Sequence, residues 1–433
     1  MESIWMDGQL PHFAPLQQDI RTDVLVIGGG MAGILCAHML KEAGVDCVVA
    51  EATRIGHGIT KNTTAKITAQ HGLIYHKLLK KLGMEKARMY LGANLDALER
   101  FRALCPSLDC VYTPEDNLIY SREDKQKLEQ ELEALQLLGY RAELTEHLPL
   151  PFSTVGAVKF PRQAQFHPLK FLSTIAKDLT VFENTPVREL GKYTARTDHG
   201  TIHAENIIVA THFPFLNKHG AYFLKLYQQR SYVLSLEPSP VLRGMYLDEA
   251  ENGYSFRTHG NALLLGGGGH RTGKSGGGWW ELEEFARTHY PECRITHRWA
   301  TQDCMSLDGI PYIGPYSNHT PGLYVATGFN KWGMTSSMAA ARLLTDMITG
   351  MDNPYAPVFA PSGRILRPQL ALNAAHAIGN LLSFSPKRCP HMGCALRWNP
   401  QEHSWDCPCH GSRFEADGTL IDNPAAGDLK REQ

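Results

Sequence analysis

The feature that most constrains this chain is Gly28-Gly29-Gly30-Met31-Ala32-Gly33. It lies between an apolar run, Asp23–Ile27, and an Ala/Leu-rich stretch that stops at Gly44. Strand-like run, glycine turn, helical stretch and a second apolar run ending at Glu51 predict a βαβ unit. The spacing is G-x-G-x-x-G, in the context that gives it meaning. Gly28 permits the tight turn, Gly30 lets the backbone approach a pyrophosphate, and Gly33 lets helix and strand pack closely. The helix start, at Met31 and Ala32, then offers free N–H groups to phosphates. Glu51 stands 18 residues past Gly33, with Ala52 behind it. A carboxylate there accepts from both ribose hydroxyls and repels a 2′-phosphate. The expected ligand is FAD or NAD rather than NADP. A second G-x-G-x-x-G is missing, which favours FAD reduced directly by substrate.

A length of 433 residues allows two or three domains. The formal net charge of -1 excludes binding of nucleic acid or an anionic membrane by charge alone. Mainly apolar stretches are all too short to span a bilayer. The N-terminus, MESIWMDGQLPHF, lacks the basic flank and apolar core of a signal peptide, so a cytoplasmic protein is expected. Residues 73–104 read as helices, and 124–138 as a charged amphipathic helix with a solvated face. Residues 151–215 alternate strand signals with one helix near 168–178. Tyr232–His270 reads as strands, and Gly322–Ile348 as strand, glycine turn and long helix. Pro354, Pro357, Pro361 and Pro368 mark residues 351–369 as a stiff linker. Ala371–Phe384 reads as a short helix. Gly268–Ser275 satisfies the phosphate-loop spacing, but Gly276-Gly277-Gly278 follow where a helix must start, so nucleotide triphosphate binding is not expected.

Ten cysteines divide into six scattered ones, expected to be buried small hydrophobes, and four within 21 residues near the C-terminus. Cys389-Pro390-His391 and Cys407-Pro408-Cys409-His410 give C-x-H, 15 residues, C-x-x-H. Two thiolates and two imidazoles suit zinc or a Rieske [2Fe–2S] centre, and spacing alone does not decide.

Residues 20–350 resemble the D-amino-acid oxidase superfamily of FAD oxidoreductases, most closely its glycine oxidase and gamma-glutamylputrescine oxidase branches. The resemblance rests on the glycine turn, on Arg54-Ile55-Gly56 with Thr60-Lys61-Asn62-Thr63-Thr64, on Val187 and on Val209-Ala210-Thr211. It continues through Ser306–Gly314 and through Thr327-Gly328-Phe329 to Gly333-Met334-Thr335. It implies that Arg54, Thr60, Thr63 and Thr64 line the flavin's pyrophosphate and ring, and that Val187 holds the adenine. It implies that Ala210 and Thr211 turn against the cofactor. Gly328, Gly333, Met334 and Thr335 would aim a helix start at the flavin pyrimidine. Segment 58–66, GITKNTTAK, departs from the family's glycine-rich sequence. Lys66 is then either a lysine near flavin N5 or one that contacts phosphate or solvent.

CPHMGCALRWN and SWDCPCHGSRF resemble the two ligand boxes of Rieske proteins. That resemblance implies Cys389 and Cys407 on one iron, His391 and His410 on the other, and a Cys394–Cys409 disulfide joining the loops. It implies that Gly393 and Gly411 allow the loop backbones to turn in and donate N–H groups to the sulfurs, and that Ser412 donates a hydroxyl. It places the two imidazoles at an exposed exit. The segment before Cys389 is too short for a full Rieske domain, so residues 370–433 are expected to lean on the flavin domain.

The expected fold is α/β. It has a Rossmann-type FAD-binding domain (about 20–75, 151–215 and 300–350), an α+β substrate domain (about 76–150 and 216–299) and a small β-rich Rieske module. The expected activity is oxidation of a small amine, amino acid or related substrate by hydride transfer to flavin. Electrons would then leave singly through the cluster to an external acceptor. Two other readings are a reductase running in reverse and a redox sensor with little turnover. Arg257, Arg298 and His270 are candidates to grip a substrate carboxylate, each against a structural ion pair.

Overall fold

The computed structural model describes residues 2–7, 10–216, 219–240, 242–362 and 368–429. The βαβ unit is present: strand β1 (Ile20–Ile27), helix α1 (Met31–Glu42) and strand β2 (Cys47–Ala50). Val24 to Ile27 are all buried, as a strand covered on both faces requires. The first sheet runs Tyr312–Pro315, Leu323–Thr327, Thr201–Val209, β1, β2, Thr180–Phe182. Four of the five pairings along this path are parallel, and only the first, of Tyr312–Pro315 with Leu323–Thr327, is antiparallel. Helix α1 is apolar nearly all round because it lies between this sheet and helix α2 (Gly333–Ile348). Two glycines make the turn possible. Gly28 has φ +110°, and a Cβ on Gly33 would lie 1.8 Å from the Gly28 carbonyl oxygen.

The second sheet has nine strands and forms the α+β domain. Its edge is a long antiparallel ladder between β3 (Leu226–Glu237) and β4 (Arg294–Ser306), running from Leu226↔Ser306 to Glu237↔Arg294. Helix Lys125–Leu137 is only partly the solvated helix expected. Its Glu131 is buried and accepts from the Tyr75 and His76 N–H groups, capping helix Tyr75–Leu104.

Of the proline-rich stretch, residues 356–359 form a helical turn with Val358 and Phe359 buried, and the Pro361 carbonyl accepts from Lys225. These apolar side chains dock the segment on the flavin domain, where a free spacer was expected. Residues 363–367 of the linker and 430–433 of the module lie outside the described residues. Helix α3 (Pro368–Leu382) follows, then a four-stranded antiparallel sheet over Arg397–Asp422. The module's core is small: Cys389, Cys394, Leu396, Cys407, Cys409, Phe414 and Ala425.

Candidate flavin and cluster sites

A cavity of about 1490 Å³ opens between the two large sheets. Gly28, Gly30, Met31, Ala32, Glu51, Ala52, Arg54, Thr60, Thr63, Thr64, Val187, Ala210, Thr211, Gly333 and Met334 line it. Most of the expected cofactor residues therefore meet in one place. Gly33, Gly328 and Thr335 do not line it. Gly33 sits beneath Gly28, Gly328 packs against Leu226 and Tyr312, and Thr335 donates to the Thr68 carbonyl at 3.0 Å. The Glu51 carboxylate accepts from Gly29 N–H (2.7 Å) and Thr53 N–H (2.8 Å), which fixes it at the end of β2. Burial raises its pKa, and these bonds oppose the rise. Gly30 supplies no capping side chain to α1. A turn without Cβ atoms, an open helix start and an acid at the second strand end fit a dinucleotide.

The substrate side of the cavity comes from the β3–β4 ladder. Gln229, Ser231 and Val233 of β3 and Trp299, Thr301, Asp303 and Met305 of β4 line it and share one face by alternation, while Arg230, Tyr232, Arg298, Ala300 and Cys304 of the other face also border it. Lys66, Lys331 and Trp332 also line it. Lys66 Nζ donates to the Tyr246 carbonyl at 3.0 Å. Burial, with Arg257 beside it, pulls Lys66 down to about 7. Burial pushes the Asp303 carboxyl up, while Lys331 and Arg230 oppose it.

Arg257 and His270 do not reach this space. Arg257 Nη1 donates to the carbonyls of Thr64 (2.6 Å) and Ala65 (2.9 Å). It holds the flavin loop at a residue with φ +54° instead of gripping a substrate. Trp299 supports the same loop through Nε1 to the Asn62 carbonyl (2.9 Å). His270 Nε2 lies 3.0 Å from the Tyr232 hydroxyl, which donates to Glu402 of the C-terminal module. His270 therefore belongs to the joint between domains. Arg298 borders the cavity and pairs with Glu283 at 3.1 Å. Asp303 and Lys331 were missed. The alternation along Arg294–Ser306 could have found Asp303. Lys331 lies in a loop of positive φ that carries no periodicity.

The glycine run of the apparent phosphate loop folds onto itself. Gly278 N–H donates to the Gly268 carbonyl, and Lys274 Nζ lies 3.3 Å from the His376 ring. The loop leaves no cradle.

In the C-terminal module two turns face each other. Gly393 N–H donates to the Cys389 carbonyl (2.8 Å), and Gly411 N–H to the Cys407 carbonyl (2.9 Å). The glycines close the turns, and the turned-in loop N–H groups of His391, Met392, Cys409 and His410 point at the sulfurs, as expected. Cys389 takes its bonds from Cys407, from the His391 and Met392 N–H groups and from the Ser412 hydroxyl, the Cys407 contact being largest. Together they draw its thiol down to about 7 against burial. Cys407 receives the Cys409 and His410 N–H groups. Burial lowers His391 to about 4 and His410 to about 3, which keeps both imidazoles in the neutral, ligating form. The two rings lie 4.9 Å apart, nearly perpendicular. His410 Nδ1 is buried without a hydrogen-bond partner. Two touching thiols and an orphaned imidazole nitrogen fit a two-iron cluster held by Cys389, His391, Cys407 and His410. Cys394 and Cys409 are joined by a disulfide that ties the turns together.

The exposed exit expected at the imidazoles is overturned for His410, which is 3% exposed. Its ring lies 6.1 Å from Phe213 and 6.3 Å from Phe223, and Gln228 Nε2 donates to its carbonyl at 3.0 Å. The physical reason is the small core of the module, which buries this edge against the oxidoreductase domain. Gln228 Oε1 in turn accepts from the His212 ring (3.0 Å), which borders the flavin cavity. Asn423 Nδ2 donates to the carbonyls of Thr211 and Phe213. One wall, residues 211–213 with β3, thus serves both sites.

Two such sites in one fold define an oxidoreductase with FAD in one domain and an iron–sulfur centre in the other. The chain belongs to the FAD dependent oxidoreductase (DAO) family, whose model matches residues 23–347, and a Rieske [2Fe-2S] domain matches residues 369–431. It is 33% identical to YhfW of Bacillus subtilis, a protein named for a Rieske 2Fe-2S centre, over 99% of this chain and 97% of that one. It is 26% identical to gamma-glutamylputrescine oxidoreductase of Escherichia coli, over 84% of this chain and 94% of that one. The fold is similar to glycine oxidase from Geobacillus kaustophilus, with a TM-score of 0.66 and 18% identity over 80% of this chain and 100% of that one.

Proposed function

We propose that this chain oxidises a small amine or amino-acid-like substrate and passes the electrons singly through its cluster to an external one-electron acceptor. The single observation that carries this reading is the shared wall: His410, Gln228 and His212 link the cluster loop to the flavin cavity through two hydrogen bonds, the one between Gln228 and His410 buried. When bound, FAD supplies a two-electron acceptor and the cluster a one-electron carrier. Lys66, largely neutral above about 7, takes the ammonium proton so that the amine lone pair is free. Asp303 orients the substrate's cationic end, and Lys331 faces any anionic end. Trp299 and Trp332 keep water from the reacting carbon. Arg257 acts only by holding Thr64 and Ala65 in place. The relative named for gamma-glutamylputrescine and the structure named glycine oxidase support an amine substrate. The expected place is the cytoplasm, on the sequence grounds above. Among the described residues no helix is long and apolar enough to cross a membrane.

The test is anaerobic rapid mixing of the holoprotein with a panel of small amines and amino acids. Flavin bleaching should be followed by a rhombic Rieske-type EPR signal. Bleaching with a cluster that stays oxidised would sink the relay. A flavin that responds only after a reductant has charged the cluster would favour the reverse direction, and no response to any amine would favour a sensor.

A further inference from the structure

Helix α3 contains no Asp, Glu, Lys or Arg over Pro368–Leu382. Its inward side is anchored: Asn373 Nδ2 donates to the Leu224 carbonyl, and Asn373 Oδ1 accepts from Arg271. Its outward side is bare and apolar. Leu372 is 55% exposed, Ile378 59%, Leu382 83%, and Phe384, just beyond the helix end, 90%. Contiguous exposed apolar surface of this kind marks an interaction site.

The patch continues to the cluster. Leu381 sits against Gly393. Arg388 Nη1 donates to the carbonyls of both Leu381 and Gly393, and its Nη2 donates to Ser383. One guanidinium therefore staples the helix end to the ligand loop, and Met392 of that loop is itself exposed. Lys387 and Arg388 directly follow the apolar tip, Lys387 lying over the Trp405 ring with Nζ donating to the Ala416 carbonyl, and half-exposed Trp398 packs beside Trp405. At 1.5 Å per residue the helix is roughly 22 Å long, too short to span a bilayer but long enough to lie along one.

We infer that this face docks on an anionic phospholipid surface, with α3 lying along the headgroup boundary and Leu382 and Phe384 inserted. Protruding side chains suit insertion better than contact with a flat partner. Adjacent cations complement anionic headgroups, and a tryptophan at the rim suits the interface. A net charge of -1 requires the apolar tip to supply what overall charge cannot. A consequence follows, which rests on the reading that electrons leave by the cluster: the exposed edge at Pro390–Met392 faces the lipid, so the acceptor is held at the membrane.

The experiment is co-sedimentation of the full-length holoprotein with phosphatidylcholine vesicles and with phosphatidylcholine–phosphatidylglycerol vesicles. Binding is expected to the mixed vesicles, and more weakly to phosphatidylcholine alone. The double variant Leu382→Ser/Phe384→Ser should bind at least about tenfold less, with flavin absorbance and the cluster EPR signal unchanged. Met351→Ser, at an exposed apolar residue elsewhere, should bind like the parent. A parent protein that stays in the supernatant with both vesicle types overturns the inference, as does a double variant that binds equally. Light scattering that finds a dimer abolished by the double substitution, with no vesicle binding, assigns the face to a second copy and also overturns it. Amine-driven cluster reduction, measured without vesicles, separates a failure here from a failure of the proposed activity.

Discussion

The flavin cradle and the cluster module solve opposite problems. The cradle is built by apolar burial within its own domain: β1 is covered on both faces, and α1 is wedged between sheet and α2. The module has a core of seven buried residues and holds its position by polar bonds across the joint. Arg230, on β3, pairs with Glu402, and Glu402 also pairs with Arg413 at 2.7 Å. Arg413 reaches Asp406 (3.0 Å) and Asp422 (3.1 Å). Gln228 and Gln302 donate to the carbonyls of His410 and Gly411. A small module can thus be oriented by directional bonds where apolar area is scarce, and orientation is what a relay between two redox centres needs.

The largest expected effect falls on the cluster alone. Cys407→Ala removes one of the four proposed ligands, so the rhombic EPR signal should vanish entirely. The flavin domain, which folds on its own core, should keep its absorbance and its bleaching by substrate. Loss of flavin along with the cluster would mean that the two regions form one folding unit.

Glu402→Ala strikes the joint. Burial pushes this carboxyl up, but Arg230 and Arg413 outweigh burial and hold it below its ordinary value. Removing it strands the buried Arg230 guanidinium and takes one of three carboxylates from Arg413, which costs about 3–5 kcal/mol. Chemical denaturation followed separately by cluster and flavin absorbance should show the module released first. A folded-state pKa below the unfolded one means this stabilisation is present above the ordinary carboxylate range. It is lost as pH falls through the lowered value. The joint of the parent protein should therefore loosen only in acid. An unchanged cluster transition in the variant would show that the ion network contributes nothing.

These regions also differ in how far they could be read from sequence. The cradle and the cluster ligands are local: each glycine, acid, cysteine or histidine does its work within a few residues of its motif. Arg257 and His270 could not be placed because their roles depend on strands far apart in the chain. Arg257 meets Thr64 and Ala65 across nearly 200 residues, and His270 meets Tyr232 and Glu402 at the joint. The buried His410 edge is likewise a property of the interface and not of its box. Asp303 lies between, since alternation on Arg294–Ser306 marks its face but only the fold shows what that face meets.

Lys66→Met probes the cradle side without touching the joint. In the proposed function this amine, drawn down to about 7 by burial, is the base. The parent kcat/KM should therefore rise with pH through about 7 as the protonated fraction falls. The variant should lose that limb and about 10²-fold in rate, read by flavin bleaching in rapid mixing. A variant whose rate falls while the limb persists would mean that Lys66 packs and another group titrates.

Ser412→Ala is the smallest change and the sharpest test of how the module tunes its cluster. The hydroxyl donates toward the Cys389 sulfur, and its oxygen accepts from Ala425 N–H at 3.0 Å. A bond to sulfur spreads the charge that arrives on reduction, so it favours the reduced cluster. A single bond of this kind is worth about 1 kcal/mol, too little to unseat a module held by Arg230, Gln228 and Gln302. The cluster potential of the variant should fall modestly while its thermal transition and flavin kinetics stay put. Phe414 stays buried beside it, so the potential change would report the lost bond and not a collapse of the loop. A potential that does not move would leave the N–H groups of His391 and Met392 as the bonds that tune this sulfur.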